Sequence, residues 1–178
     1  MDFLKISWEK LYKDCVTLSQ KAREAEPDEI VAISRGGVVM GRLLSDFLSL
    51  PMSNISMQSY VGTMQTKEPE IVAGLTKNIT GKTILLVDDV ADTGKTFKKA
   101  VPYMESLGAK KVYAVAPYVK PHAIFSPDFW IEKIGSWIVF PYEVWEVQEE
   151  MEKMFGNKEK AKEKLLELGT AEWELKHT

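Results

Sequence analysis

The sequence predicts an α/β protein built on a mainly parallel, twisted sheet flanked by helices. Three observations carry this. Twice, a short apolar run rich in β-branched residues ends in a small polar loop, and apolar side chains then recur at helical spacing. These runs are continuous rather than alternating, as strands buried on both faces require. A chain of 178 residues, 45% of them hydrophobic, can also fill one α/β core and carry an appendage.

Ser7 can cap a helix reaching to about Ala25, with Leu11, Cys15, Leu18 and Ala22 as its apolar stripe. Pro27-Asp28 marks a turn, and Glu29 to Ile33 follows as a buried strand. It ends in Ser34-Arg35-Gly36-Gly37, after which Val38, Val39, Leu43, Leu44, Phe47 and Leu48 fall on one side of a helix. Beyond Pro51, Ile55 to Val61 alternates enough for a strand with one wetter face. The polar stretch 62–81 is long for a connection and is expected to form a lid or a hairpin of its own.

Ile84 to Val87 reads as the central strand, with Asp88 and Asp89 at its carboxyl end. Thr93 can cap the next helix, whose buried face is Phe97, Ala100, Val101 and Met104; Pro102 predicts a kink or an early end. Gly108-Ala109-Lys110-Lys111 stops that helix, and Val112 to Ala116 is a further strand. Phe129-Trp130-Ile131 and Trp137 to Phe140 read as two short strands or extended segments. Val144, Val147, Met151 and Met154 then mark a helix stopping at Gly156. Asn157 can cap a last helix from Lys158 to Leu168, closed by Gly169.

A net charge of −3 and a pI near 5.6 leave no basic footprint for nucleic acid. Two histidines and one cysteine without clustered spacing speak against an all-protein zinc or iron–sulfur site, and Cys15 reads as a small buried residue. The lone cysteine and the start Met1-Asp2-Phe3-Leu4-Lys5 point to a cytoplasmic protein, and no apolar run is long enough for a membrane span.

Right-handed crossovers put the two strand-end loops on one sheet edge, where open α/β sheets bind ligands. A helix start there offers unpaired N–H groups to phosphate. Gly94-Lys95-Thr96 matches the end of the nucleotide-binding glycine loop, but the position that must be glycine is Asp89, whose charge would repel a triphosphate. Paired carboxylates suit ribose hydroxyls or a magnesium ion instead. Arg35 beside two glycines suits a pyrophosphate, a guanidinium fork next to backbone that a ligand can approach.

The run Val87-Asp88-Asp89-Val90-Ala91-Asp92-Thr93-Gly94-Lys95-Thr96 resembles the signature of the type I phosphoribosyltransferases. The resemblance implies binding of phosphoribosyl pyrophosphate (PRPP) as its Mg2+ complex and exchange of pyrophosphate for a nitrogenous base. It implies that Asp88 and Asp89 meet the ribose hydroxyls and metal shell. Ala91, Asp92, Thr93, Gly94, Lys95 and Thr96 form the PRPP loop, with backbone N–H groups and threonine hydroxyls around the 5′-phosphate. Arg35, Gly36 and Gly37 fall at the pyrophosphate loop, where a non-proline cis peptide is expected at Arg35–Gly36. Ser59-Tyr60 matches a pair in a mobile loop closing over PRPP.

Lys120, Trp137 and Ile138 fall where members using 6-oxopurines hold the base, the lysine on the oxygen at C6 and the aromatic ring on the purine face. Asp92 falls where those members place an acid near N7, making it the general-base candidate, and Glu143 stands where they often carry a metal- or base-site aspartate. The implied activity is purine salvage, converting hypoxanthine, guanine or xanthine to the nucleoside monophosphate and pyrophosphate. Relatives using adenine, orotate or uracil, or a PRPP-sensing regulator without activity, are the alternatives. The expected layout is a phosphoribosyltransferase domain over 1–143, including a small base-binding hood, and a C-terminal helical extension over 144–178. A homodimer or homotetramer, without nucleic-acid or membrane partners, is implied.

Overall fold

The apolar runs become strands and the striped segments helices. In chain order these are β1 Phe3–Lys5, α1 Trp8–Ala22, β2 Glu29–Ser34, α2 Gly37–Leu48, β3 Met52–Ser59, β4 Pro69–Ala73, β5 Thr83–Val87 and β6 Val90–Ala91. There follow α3 Lys95–Ser106, β7 Lys111–Val115, β8 Tyr118–Val119, β9 Glu132–Lys133, β10 Trp137–Val139, α4 Val144–Phe155 and α5 Lys158–Glu167. This computed structural model describes residues 2–59 and 68–176, without the Ser59 side chain. Its chain divides into two units, Met1–Leu11 with Gly135–Thr178, and Tyr12–Ile134.

The larger unit is organised on a five-stranded sheet of order β4-β3-β2-β5-β7, parallel except for β4, which runs antiparallel to β3. All five residues of β5 are buried, which explains its unbroken apolar sequence. Val31, Ile33, Ile55, Ile84 and Leu86 pack with Phe97, Ala100 and Met104 of α3 in one core cluster. Tyr118 and Asp14 share a buried hydrogen bond of 2.6 Å, with the hydroxyl donating. Beside them the Cys15 thiol is pushed up to about 12, first by burial and then by the Asp14 charge, which makes it an inert packing group as expected.

At the opposite end of the sheet from the strand-end loops, Glu29 is fully buried. Its carboxylate accepts from Ser53 Oγ at 2.9 Å and meets Lys77 Nζ at 2.9 Å and Lys82 Nζ at 2.8 Å. Burial pushes this carboxyl up, but the bonds from Lys82, Lys77 and Ser53 outweigh it and hold the pKa below the ordinary glutamate value.

Several local expectations are corrected. Helix α3 does not end early, since it runs to Ser106 past Pro102. Pro102 lies on the exposed face, where water can satisfy the carbonyl left without a partner. Its N-cap is Gly94, at φ 79°, rather than Thr93, which accepts from Lys95 N through Oγ1 at 3.3 Å. The segment 129–131 is not a strand. Phe129 makes a single bridge to Val115, after which Ile131 N turns to Pro117 O, so pairing resumes only at β9. The polar stretch 62–81 forms no hairpin of its own among its described residues: its strand β4 pairs with β3, which precedes the stretch. The lid expectation falls on Tyr60 and residues up to 67, outside the described residues.

In the smaller unit β1 pairs in parallel with β10, Phe3 opposite Trp137 and Lys5 opposite Val139. Val139, Val144, Val147, Met151, Ala161, Leu165 and Leu175 form its core. Asn157 Oδ1 caps α5 by accepting from Lys160 N at 3.0 Å, and α4 closes at Gly156 as the sequence indicates. No helix among the described residues is long and apolar enough to cross a membrane.

Candidate functional site

Strands β2 and β5 are hydrogen-bonded neighbours, Ala32 opposite Val87, so the loops after them emerge side by side. The contact between these loops is tight. A Cβ on Gly37 would lie 2.2 Å from Val87 O, and one on Gly36 would lie 2.0 Å from Asp89 Oδ2. Glycine is therefore required here by proximity, which brings the Arg35-Gly36-Gly37 backbone against the paired acids. The cis peptide of this loop is Ser34–Arg35, one bond earlier than expected. Arg35 is exposed, and its carbonyl accepts from Val38 N at 3.2 Å as α2 begins.

Asp88 lies among densely packed atoms although part of its surface is open. Asp89 N donates to its Oδ1 at 3.0 Å, and Gly37 N also donates to it. Burial first, and the adjacent Asp89 charge second, hold the Asp88 carboxyl well above the usual range despite those two bonds. Two acids so placed repel each other, and a ligand supplying hydroxyl donors or positive charge relieves that repulsion.

The rest of the signature is held by a second, three-stranded parallel sheet of order β6-β8-β9. Val90 pairs with Tyr118 and Ala91 with Val119. Lys120 N donates to Ala91 O at 2.9 Å, and Ile124 N to Thr93 O at 2.9 Å. Gly94 needs its positive φ, and a Cβ there would lie 2.6 Å from Phe125 N. Phe125 stacks on buried Phe97 with centroids 5.6 Å apart. The loop thus enters α3 with helix-start N–H groups at its carboxyl side, a ready phosphate cradle. Lys95 Nζ reaches Glu68 Oε1 at 2.6 Å, and Thr96 is half-buried in the first turn.

Asp92 is exposed at the crest of this loop, and His122 Nε2 lies 3.1 Å from its Oδ1. Lys120 is half-buried nearby; burial lowers its pKa, and the Asp92 charge opposes that lowering. The arrangement joins a carboxylate, an ammonium and an imidazole on one rim. His122 was not singled out by sequence, because its partner is 30 residues away and no local spacing links them. The tie exists only once β6 and β8 pair.

Arg35 to Gly37, Asp88, Asp89, Ala91 to Thr96 and Lys120 all come together in the larger unit. Trp137, Ile138 and Glu143 belong to the smaller one. There Trp137 is 38% exposed on β10, tilted at 45° to Phe3 with centroids 6.5 Å apart. Ile138 is buried, and Glu143 stands at the N-cap position of α4. Ser59 ends β3, and Tyr60 lies outside the described residues.

No group of three or more His, Cys, Asp or Glu residues that could hold a metal occurs among the described residues. The strand-end donor set is two carboxylates. It fits a magnesium ion that arrives with most of its shell already filled by substrate oxygens and water, since this ion keeps few protein ligands.

Comparison with known proteins matches residues 7–151 to the family model described as the phosphoribosyl transferase domain. The chain is 30% identical over 143 residues to a xanthine-guanine phosphoribosyltransferase of Idiomarina loihiensis, covering 78% of this chain and 86% of that one. The crystal structure of a purine phosphoribosyltransferase from Pyrococcus horikoshii superposes with a TM-score of 0.74 at 31% identity, covering 80% and 95% of the two chains. A transcriptional regulator, GfcR of Methanococcus vannielii, is 32% identical over 92 residues, covering 52% of this chain and 45% of that one.

Proposed function

We propose that this chain, which belongs to the phosphoribosyl transferase family, transfers the phosphoribosyl group of PRPP to a 6-oxopurine. The observation that carries the reading is the Asp88–Thr96 loop, with Asp92 at its crest beside Lys120. The purine phosphoribosyltransferase relatives add support.

In the reaction the C1–oxygen bond to pyrophosphate breaks, its electron pair leaving with pyrophosphate, as the purine N9 forms the new C1–N bond. The proton on N7 of the base passes to Asp92, yielding nucleoside monophosphate. Asp88 and Asp89 accept from the ribose hydroxyls, and the raised Asp88 pKa favours donors or cations in that place. N–H groups at the start of α3 and the Thr93 and Thr96 hydroxyls hold the 5′-phosphate. The Arg35 guanidinium and the glycine backbone hold pyrophosphate. Asp88 and Asp89 are the residues that would hold a Mg2+ ion brought by PRPP, which would neutralise charge on the leaving group. Lys120 donates to the oxygen at C6, its lowered pKa reflecting an ammonium partly withdrawn from water. Trp137 and Ile138 are assigned to the base on the family resemblance, the aromatic ring being the group suited to a purine face. Glu143 is assigned to metal- or base-side contacts and Ser59-Tyr60 to loop closure. The same reading divides the chain into a 1–143 domain and a 144–178 extension, in a cytoplasmic homodimer or homotetramer.

The test is an absorbance screen of hypoxanthine, guanine, xanthine, adenine, orotate and uracil with PRPP and Mg2+. Nucleotide formation with a 6-oxopurine is expected; exclusive use of adenine, orotate or uracil would overturn the base assignment. Similarity to GfcR supports a second reading as a PRPP-responsive regulator, and PRPP binding without nucleotide formation from any base would favour it. The charge of −3 weighs against nucleic acid as the direct partner.

A further inference from the structure

The contact between His122 and Asp92 is built from the backbone outward. Residues 120–123 form a tight turn, Ala123 N donating to Lys120 O at 3.1 Å, with Pro121 and His122 at its two central positions. Proline presets the backbone of the first of these, which stiffens the turn. The turn is clamped to the signature loop at both ends. Lys120 N bonds to Ala91 O and Ile124 N to Thr93 O, each at 2.9 Å. The two accepting carbonyls belong to the residues on either side of Asp92, and the two donors lie two residues on either side of His122. The clamp therefore centres His122 on Asp92. Gly94 against Phe125 N, and Phe125 on Phe97, extend the same seam.

Such a seam brings the two side chains together through main-chain bonds rather than through chance surface contact. In the tautomer that carries its proton on Nε2, His122 donates to Asp92 Oδ1, the role that a carboxylate acceptor calls for. The contact engages Oδ1 alone, so Oδ2 is the oxygen that the reading of Asp92 as general base requires for the base. Lys120, on the same clamped turn as His122, feels the Asp92 charge.

We propose that His122 is a positioning residue that fixes the Asp92 carboxylate through its 3.1 Å contact, so that the free oxygen meets the acceptor base in one orientation. This rests on the reading of Asp92 as general base given above. His122 is 64% exposed by side chain, so its replacement leaves the core untouched.

The test measures kcat and KM for PRPP and for the preferred purine in the full chain, with thermal melts as a folding control. His122→Ala should lower kcat about tenfold, the effect of one hydrogen bond to a charged group, with KM for PRPP unchanged. His122→Gln, which keeps an N–H donor, should recover most of that loss. In the Asp92→Asn background, His122→Ala should cost nothing further. Wild-type kcat in His122→Ala, no recovery in His122→Gln, or full multiplicative losses in the double variant would each overturn the proposal while leaving Asp92 as base. Failure of the reading beneath it looks different: no purine transfer by the wild-type chain, or normal turnover by Asp92→Asn, would remove that base and this inference with it.

Discussion

Substituting the two glycines of the Arg35 loop should separate fold from chemistry. A Cβ at Gly37 would meet Val87 O at 2.2 Å and Asp88 Cα at 2.9 Å, backbone on both sides. Ordinary contact needs the loop to recede by about 1 Å from the end of β5. Overpacking of this kind costs about 1–3 kcal/mol, and the better helix propensity of alanine in the first turn of α2 offsets less than about 1 kcal/mol. Gly37→Ala should therefore lose roughly 1–2 kcal/mol, lowering Tm by roughly 2–8 °C for a chain of this size. A 1 Å displacement at a reacting centre can cost about a hundredfold, so kcat/KM should fall by that order. At Gly36 the obstacle is the Asp89 carboxylate, with Oδ2 at 2.0 Å, and a side chain can rotate away where a strand cannot. Gly36→Ala should keep Tm but weaken PRPP, because Asp89 leaves its place. Urea or thermal unfolding read beside calorimetric PRPP titration separates the two. A Gly37→Ala protein with wild-type Tm and PRPP affinity, or a Gly36→Ala protein that loses stability without losing PRPP, would refute this reasoning.

Other expectations concern charge. Asp92→Asn should reduce turnover by about a hundredfold to ten-thousandfold while PRPP binding changes little, and an unchanged rate would end its assignment as base. Lys120→Ala should weaken 6-oxopurines selectively; equal loss with every base would make the lysine structural. Glu29 has a depressed pKa in the fold, so its contribution is present above the unfolded value and is lost as pH falls through the folded one. Glu29→Gln should cost roughly 1–3 kcal/mol near neutrality and lessen the acid sensitivity of stability below about pH 4.3. Urea midpoints compared at neutral and acid pH check this, and a loss independent of pH would contradict it.

What could be read from sequence was whatever a short window specifies. β2, β5 and β7 announce themselves as unbroken apolar runs, and the buried stripe of α1 and the caps at Ser7 and Asn157 lie within a few residues of what they serve. The acid pair and the Asp92–Thr96 loop proposed for the phosphate were found for the same reason, since their residues are contiguous. Pairings that depend on distant chain were not. β1 is three residues without alternation and gains its identity only from β10. β6 and β8 are two residues each, too short for any period, and Phe129 to Ile131 looked extended because aromatic and branched residues favour strands, while the chain there changes partner from β7 to Pro117. Thr93 has the chemistry of a cap, but the chain needed a left-handed residue one position later, and Gly94 took the place. His122 was missed on the same ground, its meaning residing in the clamp.

That clamp gives the ligand loop an unusual dependence on chain length. Among the described residues, the carbonyls of Ala91 and Thr93 and the strand between the acids and Asp92 are paired by residues 118–124. During synthesis the loop therefore cannot take its final form when its own residues emerge, and must wait for a segment made later, after β7 has docked. Substitutions in 118–124 can accordingly retune the geometry of the loop proposed for the phosphate, to which they do not belong, and divergence within the family has a place to act on that loop while every residue of its signature stays the same.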